Sequence, residues 1–310
     1  MSEYKYRHSW PKENLYADCY AHQVQSFRYH WHRDSFELNI LLYGRQHFFQ
    51  GNDIYELEEN DVILVNPNVG HASYSDPEGT IAFVLHFSSS ALKQFMNKSS
   101  TLSINDCLSN AKTRNDPAYQ KVRMYAAQTM YYLSRPGQFS DYLAKASLEM
   151  LIGTLCTMFD AEAVPSSLEA DPETQKAIDT VISYLEKNCT KKITLEEIAA
   201  LTGYNRTYIS TLFHQTVGIK FYDYVIRLRL QKAIHDLVTT DRSLTDIALY
   251  NGFSDLKSFN TRFRDMLKIL PSEYRARTRM SSISQNYYEI VAIPADDPLI
   301  EKKLKEYMAL

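Results

Sequence analysis

Two histidines stand one residue apart at His30-x-His32, a carboxylate follows at Glu37, and a third imidazole comes much later at His71. Side chains alternate along an extended chain, so His30 and His32 point to one side and Trp31 to the other. Three imidazoles and one carboxylate are a ligand set for Zn, Fe, Mn or Ni. The same four groups can instead hydrogen-bond an organic ligand, or simply satisfy one another in a core. Ligand hydrogen bonding is the leading reading. A transition metal at His30, His32, Glu37 and His71 is the second, and no other cofactor and no catalytic residue is assigned.

A second chemistry is spread over Arg206, Thr207, Ser210 and Thr211, and again over Lys257, Asn260, Thr261 and Arg264. Arg and Lys donate to guanine edges and Asn pairs with adenine, while part of such a set touches phosphate alone. These residues lie in a stretch that is written twice. Leu195, Ile198-Ala199 and Gly203-Tyr204 recur as Leu244, Ile247-Ala248 and Gly252-Phe253. Ile209, Phe213 and Tyr224 recur, one residue further on, as Phe259, Phe263 and Tyr274. Each copy reads as an amphipathic helix, a glycine turn and a second helix whose inner face carries the aromatics. Asn205 and Ser254 are of N-cap type. The connecting helix, from Phe221 to about Val238, is about 18 residues or roughly 27 Å long. That spacing approaches the ~34 Å turn of B-DNA, so both copies could enter successive major grooves.

The doubled unit resembles the DNA-binding domain of the AraC/XylS family of transcription activators. The resemblance covers roughly Ala177 to Arg277, and its specific parts are Ile247-Ala248, Gly252-Phe253-Ser254, Ser258-Phe259, Phe263 and Pro271-Ser272-Glu273-Tyr274-Arg275. Lys268 departs from the pattern by standing where the family has Gly, which the first copy keeps as Gly218, so either a different turn there or a phosphate contact by Lys268 is expected. The histidine motif resembles the two-part cupin motif, with Asn60 replacing a usual Gly in its second part, and thereby the sensing half of AraC-type regulators. The resemblance implies a multidomain α+β chain: an N-terminal cupin-like β-barrel with helices, then an all-α double helix-turn-helix domain. Residues 1–165 would sense and dimerise, 173–280 would bind DNA, and 281–310 form an extension that the family does not explain.

The implied partners are a double-stranded DNA operator, a small-molecule effector with a carbohydrate as first guess, a second copy of the chain, and RNA polymerase if the protein activates. The effector would meet His30, His32, Glu37 and His71. A metal-dependent cupin enzyme fused to a DNA-binding module is the competing class, and the reading taken is that the chain is not an enzyme. Aromatic residues suited to a sugar include Trp10, Tyr16, Tyr20, Tyr29, Phe36, Tyr43, Phe48 and Tyr74.

The rest of the chain fits these elements. Short alternating runs such as 37–43, 46–49, 61–65 and 81–87, separated by turn signals, indicate a sandwich or barrel. Helical faces follow at Tyr119, Val122, Arg123, Ala126 and Met130, and at Leu143, Leu148, Leu151, Ile152 and Leu155; they suit either dimer contact or packing on the sheet. Residues 161–172, with two prolines, are the expected linker. Net charge is −3, but residues 191–280 carry 15 Lys and Arg against 9 Asp and Glu, so this end is +6 and the remainder −9. A basic reader on an acidic body fits DNA binding. Four scattered cysteines, no apolar leader and no run long enough to span a bilayer lead to a cytoplasmic expectation.

Overall fold

The computed structural model describes residues 4–24, 30–32, 34–50, 53–75, 79–90, 92, 100–165, 172–280 and 291–309. The alternating N-terminal segments form antiparallel strands β1 (Tyr6–Trp10), β2 (Leu15–Gln23), β3 (Ser35–Tyr43), β4 (Arg45–Gln50), β5 (Asp53–Glu58), β6 (Val62–Val65), β7 (His71–Ser75) and β8 (Ile81–Ser88). One sheet runs β1-β2-β8-β3-β6 and the other β5-β4-β7. Period-two patterning sets what each face meets. Leu38, Ile40, Phe83, Leu85 and Phe87 face one way, into a core shared with two helices, α1 (Pro117–Leu133) and α2 (Ser140–Met158). Leu41 and Ala82 face the other way, against Phe48 and Leu57 of the second sheet.

Tyr119, Val122, Arg123, Ala126 and Met130 of α1 are buried as their spacing requires, as are Leu148, Leu151, Ile152 and Leu155 of α2. These faces pack on the chain's own sheet. Leu143 does not join them and stays exposed, beside Phe139 and Tyr142. The expected linker is also different in part. Asp160–Pro165 is a strand, β10, paired with β9 (Ser100–Asn105), while residues 166–171 lie outside the described part. No helix among the described residues is long and apolar enough to cross a membrane.

The doubled unit folds as seven helices: α3 (Pro172–Asn188), α4 (Leu195–Thr202), α5 (Arg206–Val217), α6 (Phe221–Thr239), α7 (Leu244–Tyr250), α8 (Leu256–Leu267) and α9 (Pro271–Met280). Thr194 and Glu197 make a capping box on α4, and Asn205 caps α5 through Tyr208 N. The cap of α8 is Asp255, which accepts from Ser258 N, and Ser254 instead donates to the Asp255 carboxylate. Ile178, Val181, Leu185, Ile209, Phe213, Tyr224, Phe259, Phe263 and Tyr274 share one core. Arg229 binds the carbonyls of Cys189 and Lys191, and Arg275 that of Leu237, so both tie the helices together. Arg227 is buried.

The residues after α9 rejoin the N-terminal domain. A short strand, β11 (Ala292–Ile293), pairs with β2, and a last helix, α10 (Pro298–Met308), packs on α1. Residues 281–290 of the extension lie outside the described part.

The two matched turn glycines answer to different constraints. Gly203 and Gly252 are both left-handed, at φ 75° and 84°. A Cβ at Gly203 would meet open space, whereas at Gly252 it would lie 2.5 Å from the Thr190 carbonyl oxygen. Gly203→Ala is therefore expected to cost about 1 kcal/mol of backbone strain, and Gly252→Ala about 3 kcal/mol or more because backbone must also move; thermal melting compares them. Lys268 has φ 61°, close to the 81° of Gly218, so the turn after α8 keeps the left-handed form without glycine. Lys268→Gly is expected to stabilise by about 0.5–1 kcal/mol, read as a rise in denaturation midpoint.

Candidate effector site and nucleic-acid interface

Strand pairing assembles the histidine cluster. Residues His30 and His71 exchange backbone hydrogen bonds, 2.9 Å from His30 N to His71 O and 2.8 Å in return. Asn68 N donates to His32 O, which fastens the His30–His32 segment to the same turn. Glu37 lies opposite His86 in the β3–β8 register. The outcome is one carboxylate oxygen, Glu37 Oε2, at 2.9 Å from His32 Nε2, 3.0 Å from His71 Nε2, 2.9 Å from His86 Nε2 and 3.8 Å from His30 Nε2. His32 and His86 Nε2 are 3.2 Å apart. All four residues read from the sequence are thus brought together, with ligand atoms within 4.8 Å of one another.

Burial alone would disfavour charge on Glu37, yet the attraction of His71 and the hydrogen bonds from His30, His32 and His71 outweigh it and hold the carboxyl well below its usual range. Burial has the opposite sign of consequence for His32, whose imidazole is pushed down despite its bond to Glu37. His71 is held at both nitrogens: Nδ1 meets Val69 O at 3.0 Å while Nε2 meets Glu37. A neutral imidazole carries one N–H. Both contacts are satisfied when both nitrogens are protonated or when a cation sits beside Nε2.

Sequence reading missed three residues here. His86 is the lone polar position in the run Ile81–Phe87, and the cross-strand register is what aims it at Glu37. Asn39 shares the inner face of β3 with Glu37, and Gln46 shares that of β4 with Phe48. Both are almost wholly buried, and Asn39 Oδ1 and both polar atoms of the Gln46 amide meet no hydrogen-bonding partner among the described residues. Aromatic residues play a smaller part. Phe48 stacks on His71 at 5.9 Å and 7°, and Tyr20 lies 6.2 Å from His86. Phe36 instead stacks on Phe87 in the core, and Tyr43 donates to Leu299 O. Trp10 and Tyr16 are half-buried. Tyr29 and the side chain of Tyr74 lie outside the described part.

The wall between this cluster and the helical domain is one strand thick. Within β7, His71 faces the cluster and Ala72 faces the helical core; within β4, Phe48 faces in and Phe49 faces out. Phe49 pairs with Ile54 on one side and Ala72 on the other, giving an apolar row that seals against the helices. Trp31, between the two cluster histidines, turns its ring to Tyr224 of α6 at 6.3 Å and 69°.

On the outer faces of α5 and α8, Arg206, Thr207, Thr211, Lys257, Thr261 and Arg264 are exposed, and Ser210 and Asn260 are half-buried. Arg206 forms an exposed ion pair with Glu196 at 2.9 Å, too solvated to hold it strongly. Asn260 Oδ1 is buried without a partner among the described residues.

Comparison with known proteins follows the same division. Residues 16–152 match the model of the AraC-like ligand binding domain, and residues 198–277 match that of a helix-turn-helix domain. The HTH-type transcriptional activator AarP of Providencia stuartii is 35% identical over 98 residues, which are 32% of this chain and 73% of the relative. An HTH-type transcriptional regulator of Staphylococcus aureus strain COL is 22% identical over 250 residues, covering 78% of this chain. The chain spans 31% of that relative's length. An AraC-type DNA-binding-domain protein of Chromobacterium violaceum is 30% identical and covers 34% of this chain and 94% of its own, with a TM-score of 0.32. A ligand-binding half followed by a helix-turn-helix half, each matched in the place where the fold puts it, makes this chain a member of the AraC family.

Proposed function

We propose that the chain is a transcription regulator that binds an operator through α5 and α8 and responds to a small polar effector inside the β-domain. The observation that supports the DNA half is the duplicated outward face: Arg206, Thr207, Ser210 and Thr211 on one helix and Lys257, Asn260, Thr261 and Arg264 on its repeat, all left outside the core. Helix α6, at 19 residues, is about 28 Å long and holds the two faces at nearly one turn of duplex. The named relative that activates transcription favours an activator, with RNA polymerase as the further partner. A second copy is proposed to dock on α2, where Tyr142, Leu143 and Met150, with the preceding Phe139, are exposed.

The effector site is proposed at His30, His32, Glu37, His71 and His86, extended by Asn39 and Gln46. Buried amides without partners cost stability unless something hydrogen-bonds them. Their presence on the inner faces supports an effector rich in donors and acceptors, the class to which a carbohydrate belongs. A divalent transition metal is a second reading, favoured by His71. Its two nitrogens both face oxygen acceptors. The 2.9–3.2 Å separations of Glu37 Oε2 from His32, His71 and His86, and of His32 from His86, suit neighbours on a centre with bonds of about 2.0–2.1 Å, with His30 farther off at 3.8 Å from Glu37. His30, His32, Glu37, His71 and His86 would hold it, and it would supply a Lewis-acidic point for a polar ligand. The thin wall supports regulation: whatever moves His71 or His30 and His32 moves Ala72 and Trp31, their direct neighbours against the helices. Such a shift needs an effector that favours one arrangement over the other.

Lys257→Ala and Asn260→Ala are each expected to weaken binding to a selected duplex by about 1–3 kcal/mol with folding intact. Gel shift beside thermal melting measures this, and unchanged affinity in both variants removes this face from the DNA contact. For the effector, melting is followed with Zn²⁺, Mn²⁺ and Ni²⁺ and with a panel of sugars. One class is expected to raise the midpoint in the native chain and not in His71→Ala. Gln46→Met is expected to raise the ligand-free stability by about 1 kcal/mol, because an unpartnered amide is removed, while blunting the shift given by a sugar. Equal shifts in native and variant chains would place the effector elsewhere.

A further inference from the structure

The segment that the family pattern leaves unexplained is built into the N-terminal domain. Ala295, Ile300, Leu304 and Tyr307 are buried in the core formed by β3, β8, α1 and α2. The contact is specific as well as apolar. Lys303, almost wholly buried, donates to Asn60 Oδ1 at 3.1 Å and pairs with Glu59 at 2.8 Å. The Tyr307 hydroxyl donates to the same Asn60 oxygen at 2.7 Å, and Arg135 pairs with Glu301 at 3.1 Å. Asn60 has φ 71°, a conformation that favours glycine. The Asn60 departure from the cupin-like pattern and the unexplained C-terminal extension are therefore one feature: the side chain at residue 60 is the latch on which α10 closes. At the other end Ala292 packs with Tyr20 and Val84, next to His86 of the cluster.

We propose that residues 292–308 are a strap that holds the helix-turn-helix domain against the wall of the effector site. That domain leaves the β-domain through residues 166–171 and returns to it through β11 and α10. Domains joined by one linker and a modest interface move relative to each other by default. A second attachment raises the effective concentration of the Phe49–Ala72–Trp31 surface for its helical partner, so the docked arrangement dominates. The strap's bearing on regulation rests on the effector reading above, but docking itself does not.

The chain contains two tryptophans, Trp10 and Trp31, so Trp10→Phe leaves Trp31 as a fluorescent reporter of the docked surface. In that background, Asn60→Gly deletes the latch at a backbone position that glycine suits. The expected result is faster amide exchange along α10, unchanged protection in β3 and β8, and a red shift of Trp31 emission as Tyr224 withdraws. Faster exchange in α10 with Trp31 emission unmoved would overturn the proposal, and so would α10 exchange that does not change. Tyr307→Phe keeps the ring and removes one hydroxyl, and it gives the same readings if Asn60→Gly unsettles the barrel. Neither readout requires a ligand, so a failure here is distinct from failure of the effector site.

Discussion

A carboxylate placed inside a protein stays charged only if cations or donors surround it, and Glu37 is the point at which this chain meets that demand. Four imidazoles converge on one of its oxygens. They come from the segment before β3, from β7 and from β8, so satisfying one charge brings three parts of the barrel into register. The His30–His71 bridge and the Glu37–His86 pairing are the backbone side of the same arrangement. The Asn39 carbonyl oxygen and the Gln46 amide on the same inner faces have no hydrogen-bonding partner among the described residues. The interior is thus polar where a folded core would normally be apolar.

The period-two geometry of strands gives that interior its reach. A residue that faces the cluster is followed by one that faces away, and here the away side is the helical domain. His71 and Ala72, Phe48 and Phe49, and His32 and Trp31 are three such pairs. Backbone connects the members of each pair, so the two faces share one element with nothing between them. Close packing against Tyr224 and the shared helical core leaves little slack on the receiving side.

The helical domain is organised by a different economy. One bihelical design is used twice, with matched inner apolar residues and the same left-handed exits, and α6 spaces the copies. Where the copies differ, tertiary contact explains the difference. Gly252 approaches the Thr190 carbonyl and so needs glycine for space as well as for φ, while its counterpart Gly203 needs it for φ alone. Lys268 shows that the equivalent of Gly218 is a turn that can be held without glycine.

Much of this was legible in the residues. Helical periodicity and the doubled Ile-Ala, Gly-aromatic pattern are local signals, and they determined the helix-turn-helix pairs, their inner faces and the eight outward residues. Alternation determined the strands, and the resemblance of His30, His32, Glu37 and His71 to the two-part cupin motif named four members of the cluster. What local signals do not carry is register. The positions of His86, Asn39 and Gln46 follow from which strand lies beside which, and a single polar residue in an apolar run does not announce its partner. The strap was invisible for the same reason: Lys303 and Tyr307 meet Asn60 across more than 240 residues of chain. Local sequence determined the elements and the chemistry they offer, whereas tertiary structure alone decided which groups meet across the sheet and that the chain's last helix closes on its first domain.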